Sequence, residues 1–149
     1  MTAGEYCNRD VVITSPETSI TEAARLMREF HAGDLVVVTR HGNSNTPVGI
    51  ITDRDIVIEV IARQISPDAL TVSEVMSKHP VSVEESVRLL DTVALMQKHG
   101  VRRILVVDKK GGLQGILTAD DVILLIAESM TSLQQLITRE LSQETRIRS

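Results

Sequence analysis

The stretch GIITDRD at residues 49–55 recurs as GILTADD at residues 115–121. In both copies a β-favouring run ends at a threonine, and an aspartate follows three positions later. This Thr-x-x-Asp spacing is typical of a capping box. In that motif the threonine hydroxyl accepts a hydrogen bond from the first helical turn, and the acid accepts one from the threonine N–H. Each copy therefore predicts a strand that runs directly into a helix.

The repetition extends well beyond this stretch. Upstream, matching apolar residues lie 69 positions apart, as Met27 and Met96 do, and as Leu35 and Ile104 do. The loop TRHGNSNTPVG of the first copy is three residues longer than DKKGGLQG of the second, so the spacing falls to 66 after it. So many matches in one phase indicate an internal duplication.

Each copy predicts the element order β-α-β-β-α. A short β-favouring run (11–14 or 81–83) precedes a helix that is apolar on one face, and the runs LVVV at 35–38 and ILVV at 104–107 are typical of covered strands. A polar turn then leads back through a second strand, which predicts an antiparallel hairpin. A unit of roughly 55 residues buries its sheet poorly alone. We therefore predict an α/β fold in which two modules pack sheet to sheet around a pseudo-two-fold axis.

The duplication predicts the domain boundaries. We expect a lead at residues 1–10, a first module at 11–65, a linker at 66–75, a second module at 76–128 and a C-terminal amphipathic helix at 129–149. The last segment carries an apolar stripe with Leu133, Ile137 and Leu141. Its polar face mixes both charge signs, so we interpret it as a helix that lies on its own domain or on a dimer partner, not on a membrane.

Composition argues against several classes of function. The net charge of -4 disfavours a nucleic acid as the partner. The sequence also has only one Phe, one Tyr and no Trp, which leaves few side chains on which bases could stack. The single Cys7 forms no internal disulfide, and the four histidines lack metal-ligand spacing. The sequence shows neither a nucleophile paired with a base nor a phosphate-binding glycine loop, so we do not expect an enzyme. Without a secretory signal or a long apolar run, the expected location is cytoplasmic, with no membrane partner.

The doubled unit resembles the cystathionine-beta-synthase domain family over roughly residues 8–128. The resemblance is carried by the repeated GI(I/L)TxxD signature, by HGVRRI at 99–104 and by VVD at 106–108. Two such domains form a Bateman module, with two clefts between the modules. The resemblance implies a regulatory, non-catalytic protein that requires no cofactor and no metal. Members of this family commonly bind AMP, ADP or ATP in a cleft, some bind S-adenosylmethionine or a dinucleotide such as NAD, and others have no known ligand.

The resemblance also implies which residues line each cleft. In each, the Asp of Thr-x-x-Asp holds the ribose hydroxyls, the Thr lies near ribose or phosphate, and the aliphatic residue two before the Thr flanks the base. The candidates for the first cleft are Ile50, Thr52, Arg54, Asp55, Val81, Ser82, His99, Arg102 and Arg103. The candidates for the second cleft are Val12, Ile13, Gly33, Asp34, Ile116, Thr118, Asp120 and Asp121.

The two clefts differ in charge. The spacing of 69 aligns Arg103 with Asp34 and Arg102 with Gly33, so only the first cleft receives guanidinium groups, which suit phosphate. The second receives a carboxylate from each side, and these repel phosphate. We expect the nucleotide in the first cleft, and the second to be empty, metal-assisted or reserved for an uncharged or cationic adenosyl group. The alternative is that both arginines are surface charges that pair with nearby aspartates.

Two functions stay open at this point. The first is an adenine-nucleotide sensor, in which ligand binding shifts the packing of the two modules or of a homodimer. The second is an interaction module without a small ligand, which docks on an unidentified effector protein through its C-terminal helix and the surface of the disc that the paired modules form.

Overall fold

The computed structural model describes residues 1–148. The chain divides into two compact units, Met1–Leu117 and a second unit that begins at Thr118. Among residues 1–148, no helix combines the length and the apolar character that a membrane span requires.

Both modules have the predicted order β-α-β-β-α. The first module consists of β1 (Ile13–Thr14), α2 (Ile20–Phe30), β2 (Asp34–His41), β3 (Ser44–Thr52) and α3 (Asp53–Ile56), which continues as a π-helical segment (Val57–Ile61). The second consists of β5 (Ser82–Glu84), α5 (Leu89–His99), β6 (Arg103–Val107), β7 (Leu113–Thr118) and α6 (Ala119–Arg148). A short helix, α1 (Ala3–Tyr6), precedes the first module. A 3-10 turn (Pro67–Ala69), α4 (Val72–Val75) and β4 (Ser77–Lys78) lie between the modules.

The strands form two sheets, with strand orders β1-β2-β3-β4 and β5-β6-β7. In the first sheet β1 runs parallel to β2, and β2 and β3 form the predicted antiparallel hairpin, in which Leu35 lies opposite Ile51. In the second sheet β5 runs parallel to β6, with Val83 opposite Val106. The fold class predicted from the duplication is confirmed.

The apolar run of β2 is buried on both faces, as predicted. Leu35 and Val37 pack into a core with residues of α2 and α3, among them Ile20. Val36 and Val38 point to the opposite face, where they pack with Leu105 and Ile116 of the second sheet. The alternation of side chains along a strand therefore divides one apolar run between the module core and the sheet-to-sheet contact.

Each module is completed by the segment that precedes the other one. The Ala3 N–H donates to the Val87 carbonyl at 2.8 Å, and Asn8 pairs with Ile116 of β7. In the same way the Val72 N–H donates to the Thr18 carbonyl at 2.8 Å, and Ser77 pairs with Ile50 of β3. Residues 2–8 and 71–77 are related by the spacing of 69, so the duplication extends back to Thr2 and Thr71.

The segments predicted as lead and linker therefore contribute to folded structure. In the linker, Val72 is fully buried in the core of the first module. The sequence signal for these segments is a second capping motif, Thr-x-x-Glu at residues 2–5 and 71–74. The predicted C-terminal helix is likewise no separate element, because α6 runs without interruption from Ala119. Residues 119–148 contain no Gly or Pro that would end the helix.

Candidate functional site

A cavity of about 440 Å³ lies where the end of β3 meets the chain leading into β5 and β6. The β3–α3 junction contributes the aliphatic Ile50 and the polar Thr52 and Asp55. The other walls come from the segment after α4 and the start of β6: Ser77, Lys78, His79, Pro80, Val81, Val101, Arg102 and Arg103. One cavity therefore combines aliphatic side chains, a carboxylate and three cationic side chains.

Six of the nine residues predicted for the first cleft line this cavity: Ile50, Thr52, Asp55, Val81, Arg102 and Arg103. Arg54, Ser82 and His99 do not. Arg54 is exposed in the first turn of α3, and His99 is the last residue of α5, before the left-handed Gly100 ends that helix. Ser82 follows Val81 in an extended segment, where neighbouring side chains point to opposite faces.

Sequence reasoning missed five lining residues: Ser77, Lys78, His79, Pro80 and Val101. Lys78 lies opposite Gly49 in the β3–β4 pairing, which brings its cationic side chain to the cavity. His79 adopts a left-handed backbone with φ of 55° at the turn between β4 and Pro80. The Thr-x-x-Glu repeat was the available signal for Ser77 and Lys78, because the segment that it opens pairs with β3 of the first module.

The Thr52–Asp55 pair forms a complete capping box. The Asp55 N–H donates to Thr52 Oγ1 at 3.1 Å, and the Thr52 N–H donates to Asp55 Oδ2 at 2.9 Å. This exchange fixes the half-buried carboxylate at the cavity wall. A carboxylate has more acceptor sites than the cap uses, so Asp55 can also accept hydrogen bonds from a ligand.

An ion pair joins the two modules beside the cavity. Arg103 Nε lies 3.2 Å from Asp34 Oδ2, with the arginine side chain 42% exposed and the aspartate side chain 27% exposed. Asp34 is the first residue of β2, opposite Thr52. The sequence assigned these two residues to different clefts, whereas the structure pairs them. Because the spacing of 69 makes them equivalent positions, they meet across the pseudo-two-fold axis. The sequence analysis kept open the alternative that the arginines pair with nearby aspartates. For Arg103 that pairing is present, although the same side chain also lines the cavity.

Residues predicted for the second cleft that belong to the first unit have separate surroundings. Val12 and Ile13 line a mainly apolar cavity of about 480 Å³, whose other walls are Asp10, Val11, Leu26 and Phe30. The Gly33 carbonyl accepts from the Asp53 N–H at 2.9 Å. Ile116 is buried in the sheet-to-sheet core.

The remaining residues predicted for the second cleft belong to the second unit. Asp120 and Asp121 lie in the first turn of α6, and the Asp121 N–H donates to Thr118 Oγ1 at 3.1 Å. This threonine therefore caps its helix as Thr52 caps α3. In the part of the chain that the structure describes, no group of three His, Cys, Asp or Glu side chains is placed to hold a metal ion.

Comparison with known proteins places this arrangement in a family. A model of the CBS domain matches residues 3–62 and 72–128. An uncharacterized protein of Methanopyrus kandleri is 37% identical over 123 residues, which are 83% of this chain and 61% of that protein. This chain thus spans less than two thirds of that relative's length.

Two solved structures are also similar. The hexameric CBS-CP12 protein from bloom-forming cyanobacteria has a TM-score of 0.71 at 29% identity, over 83% of this chain and 66% of that one. CBSX2, solved in complex with AMP, has a TM-score of 0.70 at 27% identity, over 87% of this chain and 98% of that one. The duplicated β-α-β-β-α unit, its sheet-to-sheet packing and the two matched ranges agree, and the chain belongs to the CBS-domain family as a tandem pair.

Proposed function

We propose that this chain is a regulatory module that binds an adenosine nucleotide in the cavity at Thr52 and Asp55. The observation that carries the proposal is the composition of this one cavity. Aliphatic side chains, a fixed carboxylate and the cations of Lys78, Arg102 and Arg103 line the same space. These are the three kinds of group that a base, a ribose diol and a phosphate require.

Each part of the ligand has a matching wall. Ile50 and Val81 offer aliphatic surface to the faces of an adenine ring, whose burial is favourable. Asp55 is placed to accept hydrogen bonds from the ribose hydroxyls, as an acidic residue does in dinucleotide-binding folds. Lys78 and the two arginines supply charge-assisted hydrogen bonds to phosphate.

The family supports this assignment. CBSX2, which shares the fold over 98% of its length, was solved with AMP. In the proposed function this chain catalyses no reaction. Ligand binding would favour one of two arrangements of the modules or of a homodimer, and an effector protein would recognise that arrangement. A cytoplasmic location stays a prediction of the sequence.

Thermal melting of the chain with AMP, ADP, ATP, NAD and S-adenosylmethionine, each at millimolar concentration, tests the proposal. A ligand present at 100 times its Kd adds about 2.7 kcal/mol to the free energy of unfolding. We expect adenosine phosphates to raise the Tm of the wild-type chain. The shift should be lost in Asp55→Ala and reduced in Arg102→Ala. Arg54→Ala, which changes an exposed cation beside the cavity, is the matched control and should keep the shift.

A second function, docking on a protein partner without a small ligand, is favoured by α6. Its residues Met130, Leu133, Ile137 and Leu141 are each more than half exposed. Exposed apolar side chains in such a row are typical of a protein contact surface. If none of the five ligands changes the Tm, this docking function becomes the better account.

A further inference from the structure

We infer that Asp34 limits the number of phosphate groups that the cavity accepts, because it holds Arg103 in an ion pair at the cavity wall. This makes Asp34 a specificity-determining residue that does not itself line the cavity. The inference rests on the proposed function, since it concerns which adenosine phosphate binds.

The carboxylate of Asp34 is held in place by the sheet. Asp34 opens β2 and pairs with Thr52, and the neighbouring Gly33 carbonyl accepts from the Asp53 N–H at 2.9 Å. These backbone contacts lie at the strand that also carries Thr52 into the cavity wall. Asp34 is therefore fixed beside the phosphate-binding end that the cations define.

The ion pair divides the donors of Arg103 between two acceptors. Its Nε lies 3.2 Å from Asp34 Oδ2. A guanidinium presents several N–H donors in a fork, so the terminal nitrogens can contact a phosphate while Nε stays on the aspartate. The phosphate then meets an arginine whose charge is already partly balanced. A single phosphate group can therefore pair with Lys78, Arg102 and this shared Arg103.

Additional phosphates change that balance. Each adds negative charge that a cation must balance, and the Arg103 guanidinium, whose charge is shared with Asp34, attracts it more weakly than an unshared one. The site should therefore prefer AMP over ATP, even though its wall carries three cations. Removing the charge of Asp34 should weaken this preference.

The experiment measures Kd for AMP, ADP and ATP by isothermal titration calorimetry on the full chain and on Asp34→Asn. Asparagine has the same shape as aspartate without its charge. We expect the ratio of the ATP Kd to the AMP Kd to fall by about tenfold in the variant, because the full charge of Arg103 then acts on the additional phosphates. Asp34→Glu keeps the charge and should keep the wild-type order of affinities. Asp68→Asn, at an exposed aspartate that accepts from the Thr21 hydroxyl, makes the same change in net charge away from the cavity and should leave the ratio unchanged.

A double variant tests whether Asp34 acts through the arginine. Adding Asp34→Asn to Arg103→Ala should produce no further change in the ratio if the ion pair carries the effect. An unchanged ratio in Asp34→Asn, or an equal change in Asp68→Asn, overturns the inference while nucleotide binding itself stands. If no nucleotide binds to the wild-type chain or to Asp34→Asn, the proposed function fails and this inference fails with it.

Discussion

At the scale of single residues, the two halves of the chain meet closely at two equivalent glycines. A Cβ added to Gly49 would lie 2.5 Å from Met76 Sδ, and one added to Gly115 would lie 2.6 Å from Cys7 Sγ. Cys7 and Met76 are equivalent under the spacing of 69, and each belongs to the segment that completes the opposite module. Cys7, to which sequence reasoning gave no role, is thus a packing residue.

This close approach predicts that Gly49→Ala and Gly115→Ala each destabilise the fold. Overpacking of this kind costs about 1–3 kcal/mol, and both added methyl groups also approach a backbone carbonyl within 3 Å. Urea unfolding measures the effect. Gly33→Ala is the control, since its added Cβ would meet its nearest neighbour, Asp53, at 3.5 Å, an ordinary contact. Equal stability of all three variants would contradict the packing described for these segments.

A second residue-scale prediction concerns pH. The backbone N–H of Gly112 donates to Asp108 Oδ1 at 2.9 Å and that of Lys110 donates at 2.8 Å, and these bonds lower the pKa of the Asp108 carboxyl. A carboxyl whose folded pKa lies below its unfolded pKa stabilises the fold above the unfolded pKa, and that stabilisation is lost as the pH falls through the folded pKa. Asp108→Ala should therefore be less stable than the wild-type chain at pH 7.

This difference should shrink as the pH falls below about 4, the ordinary aspartate pKa. Thermal melting at a series of pH values gives the comparison. Lys109→Ala, at an exposed position of the same turn, should show a difference from wild type that does not depend on pH in this range. A constant deficit for Asp108→Ala down to pH 2 would show that the carboxylate form has no special role.

At the scale of secondary-structure elements, the segment between the modules is part of the first core. Val72 in α4 is fully buried, although its neighbours in sequence are polar. We predict that Val72→Ala lowers the free energy of unfolding by about 2 kcal/mol, from lost apolar burial and the cavity left behind. Val57→Ala, at a site 57% exposed, should change it little. If both variants have the same stability in urea, residues 66–75 act only as the linker that the sequence predicts.

The elements that sequence predicted best are those long enough to show a period. The helix at Ile20–Phe30 and the apolar strand runs carry several repeats of their pattern, so their type is evident. The segments that complete the opposite modules, residues 2–8 and 71–78, contain helices of four residues and a strand of two. These elements are too short to show any period. Only their capping motif and the tertiary contacts reveal them. Likewise, the boundary at residue 129 marked the end of the duplication, whereas the backbone of α6 continues through it.

At the scale of the whole molecule, each module is completed by the segment that precedes the other module, so the fold of each depends on the other. The same duplication that gives both modules one fold places different charges at equivalent positions. The spacing of 69 aligned Arg102 and Arg103 with Gly33 and Asp34, and this comparison needed no structure. It gave no sign that Arg103 and Asp34 touch, since an alignment states which positions are equivalent and not which ones meet at the symmetry axis. The pairing in the folded chain supplies that information.

Calorimetric titration of AMP into the full chain and into Asp55→Ala and Asp121→Ala tests the central claim most directly. The two aspartates occupy equivalent capping positions, so the variants are matched. We predict that Asp55→Ala loses AMP binding, because its carboxylate faces the cavity that holds Lys78 and Arg102, whereas Asp121→Ala binds as the wild-type chain does. Loss of binding in Asp121→Ala with unchanged affinity in Asp55→Ala would contradict the account.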